Sequence, residues 1–150
     1  MILDNNLLFD TAVAITATAD STNVIDLLNA RDLGVGTTAG ATPKLLCEVI
    51  TALQAAGAAT LNVQVQLSTD NVTYTVAAES GPVGKALLTA GRYILAIDFP
   101  RPQPGQALPR YAKLTYVVAT GPFTAGTITA AIVLSRDDIV SYPPGVVIAN

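Results

Sequence analysis

Between Leu61 and Ser68 the sequence alternates without a break: Leu61, Val63, Val65 and Leu67 against Asn62, Gln64, Gln66 and Ser68. A period of two sends one set into an apolar interior and the other into water, as a half-buried strand requires. Thr69-Asp70-Asn71-Val72 follows. Asp and Asn tolerate turn dihedrals and bond to their own backbone. A second β-rich run, Thr73 to Glu79, begins at once, so the pair predicts an antiparallel hairpin.

Similar runs recur along the chain. Val13 to Thr18, Asn23 to Leu27, Lys44 to Ala52, Arg92 to Phe99, Tyr111 to Thr120 and Thr127 to Ser135 all read as strands. Leu114, Tyr116 and Val118 are expected on one face, as are Ile128, Ala130, Ile132 and Leu134. Gly, Pro, Asn and Asp separate the runs. The alanines of Leu45 to Ala59 invite a helix, but Gly57 interrupts it and the flanking Val, Ile and Thr favour strand. One short helix is expected at Ser80 to Leu88, with Pro82 in its first turn. Roughly seven or eight strands predict an all-β fold, a single-domain antiparallel β-sandwich or jelly roll over residues 1–150. Extended arms are expected at about 1–10 and 141–150, and the end of the second carries Val146-Val147-Ile148 after a Pro-Pro-Gly turn.

A chain of 150 residues buries roughly 70% of its unfolded surface in one core, so it needs neither disulfide nor metal to fold. Cys47, the single cysteine, sits in an apolar run and reads as buried and inert. A bridge to a second chain would need exposure and an oxidising compartment. There is no histidine. Ser-His-Asp and Cys-His catalysis and mixed Cys/His zinc sites are therefore excluded. The net charge is −3, with eight scattered Lys and Arg, which gives direct nucleic-acid binding little support. Met1 to Asp10 lacks a basic n-region, and no apolar run reaches membrane-spanning length, so neither secretion nor a membrane partner is expected.

Charged residues make up 13% of the chain, against about 25% in an ordinary globular protein. A free monomer keeps more charge on its surface. The deficit points to a surface partly covered by other subunits, although a Thr-, Ser- and Asn-rich β surface also accounts for it. Two long loops stand out. Gly34 to Pro43 is glycine-rich and flexible, while Pro100 to Pro109 is stiffened by four prolines and cannot be a central strand.

No residue set assembles catalytic chemistry. Asp137 and Asp138 are adjacent, so on a strand they face opposite ways. Asp70 and Asn71 lack the spaced acidic loop of a calcium site and read as a turn. Asn71-Val72-Thr73 matches a glycosylation sequon by chance, given no secretory signal. Gly34-Val35-Gly36 lacks the further glycine and helix of a nucleotide loop. The five tyrosines are scattered and read as packing residues. The expectation is a non-enzyme with no catalytic residue, cofactor or metal.

Several segments resemble a known family. They are Met1-Ile2-Leu3-Asp4-Asn5-Asn6-Leu7-Leu8-Phe9-Asp10, Asp20-Ser21-Thr22-Asn23-Val24-Ile25-Asp26-Leu27, Pro100-Arg101-Pro102 with Pro104-Gly105-Gln106-Ala107-Leu108-Pro109-Arg110-Tyr111, Val118-Ala119-Thr120-Gly121-Pro122-Phe123-Thr124-Ala125-Gly126, and Tyr142-Pro143-Pro144-Gly145. Nearly the whole chain resembles the capsid cement proteins of short-tailed phages of the Bordetella-phage type. The resemblance implies a jelly-roll subunit on the capsid exterior, assembled in the host cytoplasm, bound to the major capsid protein and to itself, with a dimer favoured over a trimer. On that reading the expected contacts are Leu7, Leu8 and Phe9 from the first arm, Arg101 and Arg110 from the proline-rich loop, and Tyr142, Pro143, Pro144, Val146 and Val147 from the last. Arg101 and Arg110 would reach carboxylates on the shell. The alternative reading is a carbohydrate-binding sandwich module of a phage tail or surface protein, which would need an exposed aromatic platform in a chain without tryptophan.

Overall fold

A computed structural model describes residues 4–27, 43–100 and 109–133. The strands among them are β1 (Leu8–Ala14), β2 (Ala19–Asp20), β3 (Ile25–Asp26), β4 (Lys44–Gln54), β5 (Thr60–Ser68), β6 (Thr75–Glu79), β7 (Val83–Gly84), β8 (Tyr93–Asp98), β9 (Tyr111–Ala119) and β10 (Ala125–Val133). One antiparallel sheet runs β1-β10-β4-β8. The other runs β2-β9-β5-β6, with β3 also on β9 and β7 also on β5. Taking β2 with β3 and β6 with β7 as broken single strands leaves two four-stranded sheets. Nearly every connection crosses between them, and only β5 to β6 is a hairpin within one sheet. That alternation is the double Greek key of a jelly roll.

The alternation in the sequence sets this packing. On β5, Leu61, Val63 and Val65 are fully buried while Asn62, Gln64 and Gln66 face outward. β9 lies beside it with Ala112, Leu114 and Tyr116 inward, in unbroken register from Thr60↔Ala119 to Ser68↔Tyr111. From the facing sheet, Phe9, Leu45, Cys47, Val49, Ile128 and Ile132 fill the same core. Fully burying such a side chain contributes about 1.5–3 kcal/mol. Cys47 is enclosed here, and burial, followed by the negative charges of Asp10 and Glu48, pushes its thiol pKa far up. Gly126 is required where β10 crosses β4. It has φ +126, and a Cβ there would meet the Leu53 Cα at 2.6 Å.

One polar link passes through this interior. Tyr116 Oη, on β9, donates to Asp10 Oδ2, on β1, at 2.6 Å, and Asp10 Oδ1 accepts from Thr22 N at 2.9 Å. Both residues are buried. Their partners satisfy groups that would otherwise carry a full desolvation penalty.

The observed elements differ from the sequence expectation in three places. The first strand is Leu8–Ala14, not Val13 to Thr18, because Phe9 and Asp10 have interior partners while residues 16–18 turn the corner into β2. The expected arm at 1–10 therefore gives way at Leu8 to an edge strand. The expected helix at Ser80 to Leu88 is instead β7 followed by a 3₁₀ turn, Lys85–Leu87. Gly81 at φ +71 breaks a helical course, and Thr60 and Leu61 of β5 pair with Gly84 and Val83. The sheet edges are also interrupted: register shifts fall where β1, β6 and β8 pair with their neighbours, and β2 and β3 have two residues each. Broken edges resist strand-to-strand aggregation.

Candidate interaction end

The two ends of the sandwich are built differently. At one end short connections join the sheets: residues 15–18 from β1 to β2, 55–59 from β4 to β5, and 120–124 from β9 to β10. Backbone bonds tie them to their neighbours, including Ile15 N to Gly126 O, Phe123 N to Thr16 O, Thr124 N to Gln54 O and Lys85 N to Ala59 O. Lys85 Nζ adds a bond to Ala55 O at 2.7 Å. Phe123 is buried beneath this closure.

At the opposite end lie the start of β1, the end of β10, the start of β4 and the end of β8, as Leu8↔Ala131, Val133↔Lys44 and Lys44↔Asp98 require. In the second sheet the same end holds the end of β3, the start of β9 and the end of β5, through Asp26↔Tyr111 and Ser68↔Tyr111. The described residues that flank 1–3, 28–42, 101–108 and 134–150 therefore gather here: Asp4, Leu27, Pro43, Pro100, Pro109 and Val133. Phe99 N to Pro43 O and Leu27 N to Arg110 O join these roots directly.

Of the residues expected to make contacts, four lie within the described chain. Leu7 ends a 3₁₀ turn capped by Asp4, whose carboxylate accepts from Asn6 N, and it packs half-buried against the core. Leu8 points outward and, like Tyr93, packs against a second apolar cluster of Leu46, Ala131 and Val133 on the outer face of the first sheet. Phe9 is 0% exposed. It is a core residue, not a contact surface, because the strand alternation that turns Leu8 outward turns Phe9 inward. Arg110 is exposed at the end. Its Nε and Nη2 bond Asp26 Oδ1 and Oδ2, each at 3.0 Å, and its guanidinium lies 5.0 Å from the Tyr111 ring centre. The fork expected to grip a shell carboxylate is thus engaged by Asp26, which fastens β3 to the root of β9. Arg101, Tyr142, Pro143, Pro144, Val146 and Val147 lie outside the described residues, as do the Asp137-Asp138 pair and residues 34–42.

Three features here were not foreseen from the sequence: the Asp26 partner, the Lys113 contacts and the rigidity of the β5–β6 turn. Lys113 Nζ bonds Asp20 Oδ2 at 2.7 Å and stands 4.3 Å from the Tyr74 ring centre. Lys113 and then Thr115 hold the Asp20 carboxyl below its usual range. Lys44 pairs with Asp98 across β4 and β8. In the turn, Asp70 Oδ1 accepts from Thr73 N, Val72 N and the Ser68 hydroxyl, which together lower its pKa to about 2. Only long-range proximity could have revealed Asp26 and Lys113, since their partners are 84 and 93 residues away.

Chemically this end carries paired charges, Arg110 with Asp26 and Lys44 with Asp98. Among the described residues no group of three or more His, Cys, Asp or Glu could hold a metal ion, and no helix is long and apolar enough to cross a membrane.

The fold and this lopsided arrangement define a jelly-roll β-sandwich whose termini and longest segments are rooted at one end. The sequence model of the Bbp16 family matches residues 9–132, so the chain belongs to that family. Its name suggests a Bordetella phage protein and states no function. The match opens on the second residue of β1 and closes on the last but one of β10, so it covers the sandwich. No curated protein matches the chain.

Proposed function

We propose that this chain is a structural subunit of a phage particle that binds the outside of the capsid shell and cements neighbouring major capsid protein subunits, without catalytic activity. The observation that carries the reading is that the described residues flanking 1–3, 28–42, 101–108 and 134–150 gather at one end of a family-matched jelly roll, while the other end is closed by short, mutually bonded connections. An end at which several segments are rooted offers contacts to more than one neighbour at once. The low charge content supports coverage of part of the surface by other subunits.

Cementing follows from mass action. A subunit that binds the assembled shell and not its separated parts stabilises the assembled form by an amount that grows with its concentration over its dissociation constant. A specific contact of ordinary size buries about 1,600 Å². Repetition over many sites multiplies a modest term, and a dimer would add effective concentration at adjacent sites. The carbohydrate-binding alternative needs open aromatic faces, and here Lys113 stands over Tyr74 and Arg110 over Tyr111, while Tyr116 is in the core.

The test is co-sedimentation of the purified protein with phage capsids that lack it, followed by heating. Saturable binding with a higher disruption temperature is the expected result. Absence of binding, together with retention on a glycan array, would overturn the proposal in favour of the carbohydrate module.

A further inference from the structure

The two halves of β1 are fastened differently. Val13 and Ala14 pair with Ile128 and Thr127 of β10, and Ile15 N continues the attachment to Gly126 O at 3.2 Å. Toward the start of the strand the register on β10 shifts twice, between Leu8 and Asp10 and between Asp10 and Val13. A second set of bonds serves this half, from residues 21–23 between β2 and β3. Asn23 N donates to Phe9 O at 3.1 Å, Asn23 Nδ2 to Leu8 O at 3.0 Å and Thr22 N to Asp10 Oδ1 at 2.9 Å. Tyr116 Oη pins Asp10 from within. Residues 21–23 are themselves held on the second sheet: Ser21 N donates to Leu114 O at 2.8 Å, and Ser21 Oγ accepts from Leu114 N at 3.1 Å. Ala12 divides the halves. It is exposed and sits at φ +47, a left-handed conformation disfavoured for a residue with a Cβ.

We propose that Leu8 to Thr11 is a strap that lifts from residues 21–23 as one unit about Ala12, while the rest of the sandwich stays folded. Its bonds to the second sheet converge on Thr22, Asn23 and Tyr116, so they form and break together. The other half of β1 belongs to the β10 ladder and the closed end. Lifting lets Ala12 leave its unfavourable φ. It also uncovers the edge of β10 at Ala131 and Ala130, the partners of Leu8 and Asp10. A strand edge freed in this way is a template for pairing. The strap does not depend on the capsid reading.

Native-state hydrogen exchange, followed residue by residue by NMR across low denaturant concentrations, tests it on the full chain. The Thr22 and Asn23 amides should exchange about tenfold or more faster than those of β5. They should share one non-zero denaturant slope, because lifting the strap exposes the buried Phe9 and Asp10. The Ser21, Leu114 and Ile15 amides should stay as slow as β5. Tyr116→Phe removes the pin and should speed the Thr22 and Asn23 amides by about tenfold or more. Phe123→Leu, at the closed end, should speed β5 and leave those two unchanged. One rate and slope for Thr22, Asn23 and β5 alike would overturn the strap, since its bonds would then break only in global unfolding. A zero slope at Thr22 and Asn23 would overturn it too, as fraying of single bonds. Joint exchange of Ile15, Ser21 or Leu114 with them would place the break elsewhere and remove the hinge at Ala12, and the proposal with it.

Discussion

The closed end of the sandwich and the interaction end are made from the same strands, yet they spend their residues differently. At the closed end, backbone groups of one connection bond those of the next, Phe123 is buried beneath them, and Gly126 lets two strands approach closely. At the interaction end, backbone bonds such as Phe99 N to Pro43 O are joined by exposed ion pairs, Arg110 on Asp26 and Lys44 on Asp98. Buried apolar packing contributes several kcal/mol per residue, whereas exposed ion pairs contribute little. Stability should therefore be concentrated at the closed end.

The sharpest way to break that contrast is Phe123→Ala. Loss of a buried phenylalanine should cost about 3–5 kcal/mol, seen as a lower denaturant midpoint. Capsid binding by the fraction still folded should be unaffected, and a binding defect at a temperature where the variant is fully folded would put part of the interface at the closed end. Asp10→Ala comes next. It leaves the buried Tyr116 hydroxyl and Thr22 N–H without their acceptor, at a cost of about 3 kcal/mol. Equal stability of the double variant Asp10→Ala, Tyr116→Phe and the wild type would show that the link adds specificity and no net stability.

Cys47 reports on the same core. Buried and with its pKa pushed up, the thiol should react with a disulfide reagent only as fast as the protein opens, so its rate should rise with denaturant in step with unfolding. Rapid labelling of the native protein would mean that the sheets separate locally.

Asp70 sharpens the comparison from the other end. Its folded pKa of about 2 lies below the ordinary 3.8. The charged carboxylate therefore supports the turn fully above about pH 4, and that support is lost as pH falls through about 2. A carboxyl NMR titration should place Asp70 well below the other exposed carboxylates, and a midpoint near the ordinary value would mean the turn is looser than described. The smallest effect is expected from Arg110→Ala, which should leave the melting temperature unchanged within error because the pair is solvent-exposed. A clear drop in melting temperature would show that the interaction end contributes more to stability than its packing implies.

Much of the fold was legible in the sequence because alternation and burial share one period. The runs at Leu61 to Ser68, Lys44 to Ala52, Arg92 to Phe99 and Tyr111 to Thr120 correspond to β5, β4, β8 and β9 within a few residues. The errors fell where local signals were ambiguous. Val13 to Thr18 is β-branched and alternating, yet most of it turns a corner, because Phe9 and Asp10 upstream hold the interior positions. Ser80 to Leu88 has a helix-like start, yet pairing with β5 outweighs a propensity of a few tenths of a kcal/mol per residue.

The sequence by itself determined that the chain would form strands with one apolar face, that it had no histidine chemistry, and that Asp70 and Asn71 would make a turn. Each of these depends on neighbours along the chain. The tertiary structure decided the order of strands in each sheet, the burial of Phe9, the pairing of Arg110 with Asp26 and of Tyr116 with Asp10, and the gathering at one end of the residues that flank 28–42, 101–108 and 134–150. Those outcomes depend on residues as far apart as Leu8 and Ala131, where no local period reaches and only the closure of two sheets around a shared core selects the partners.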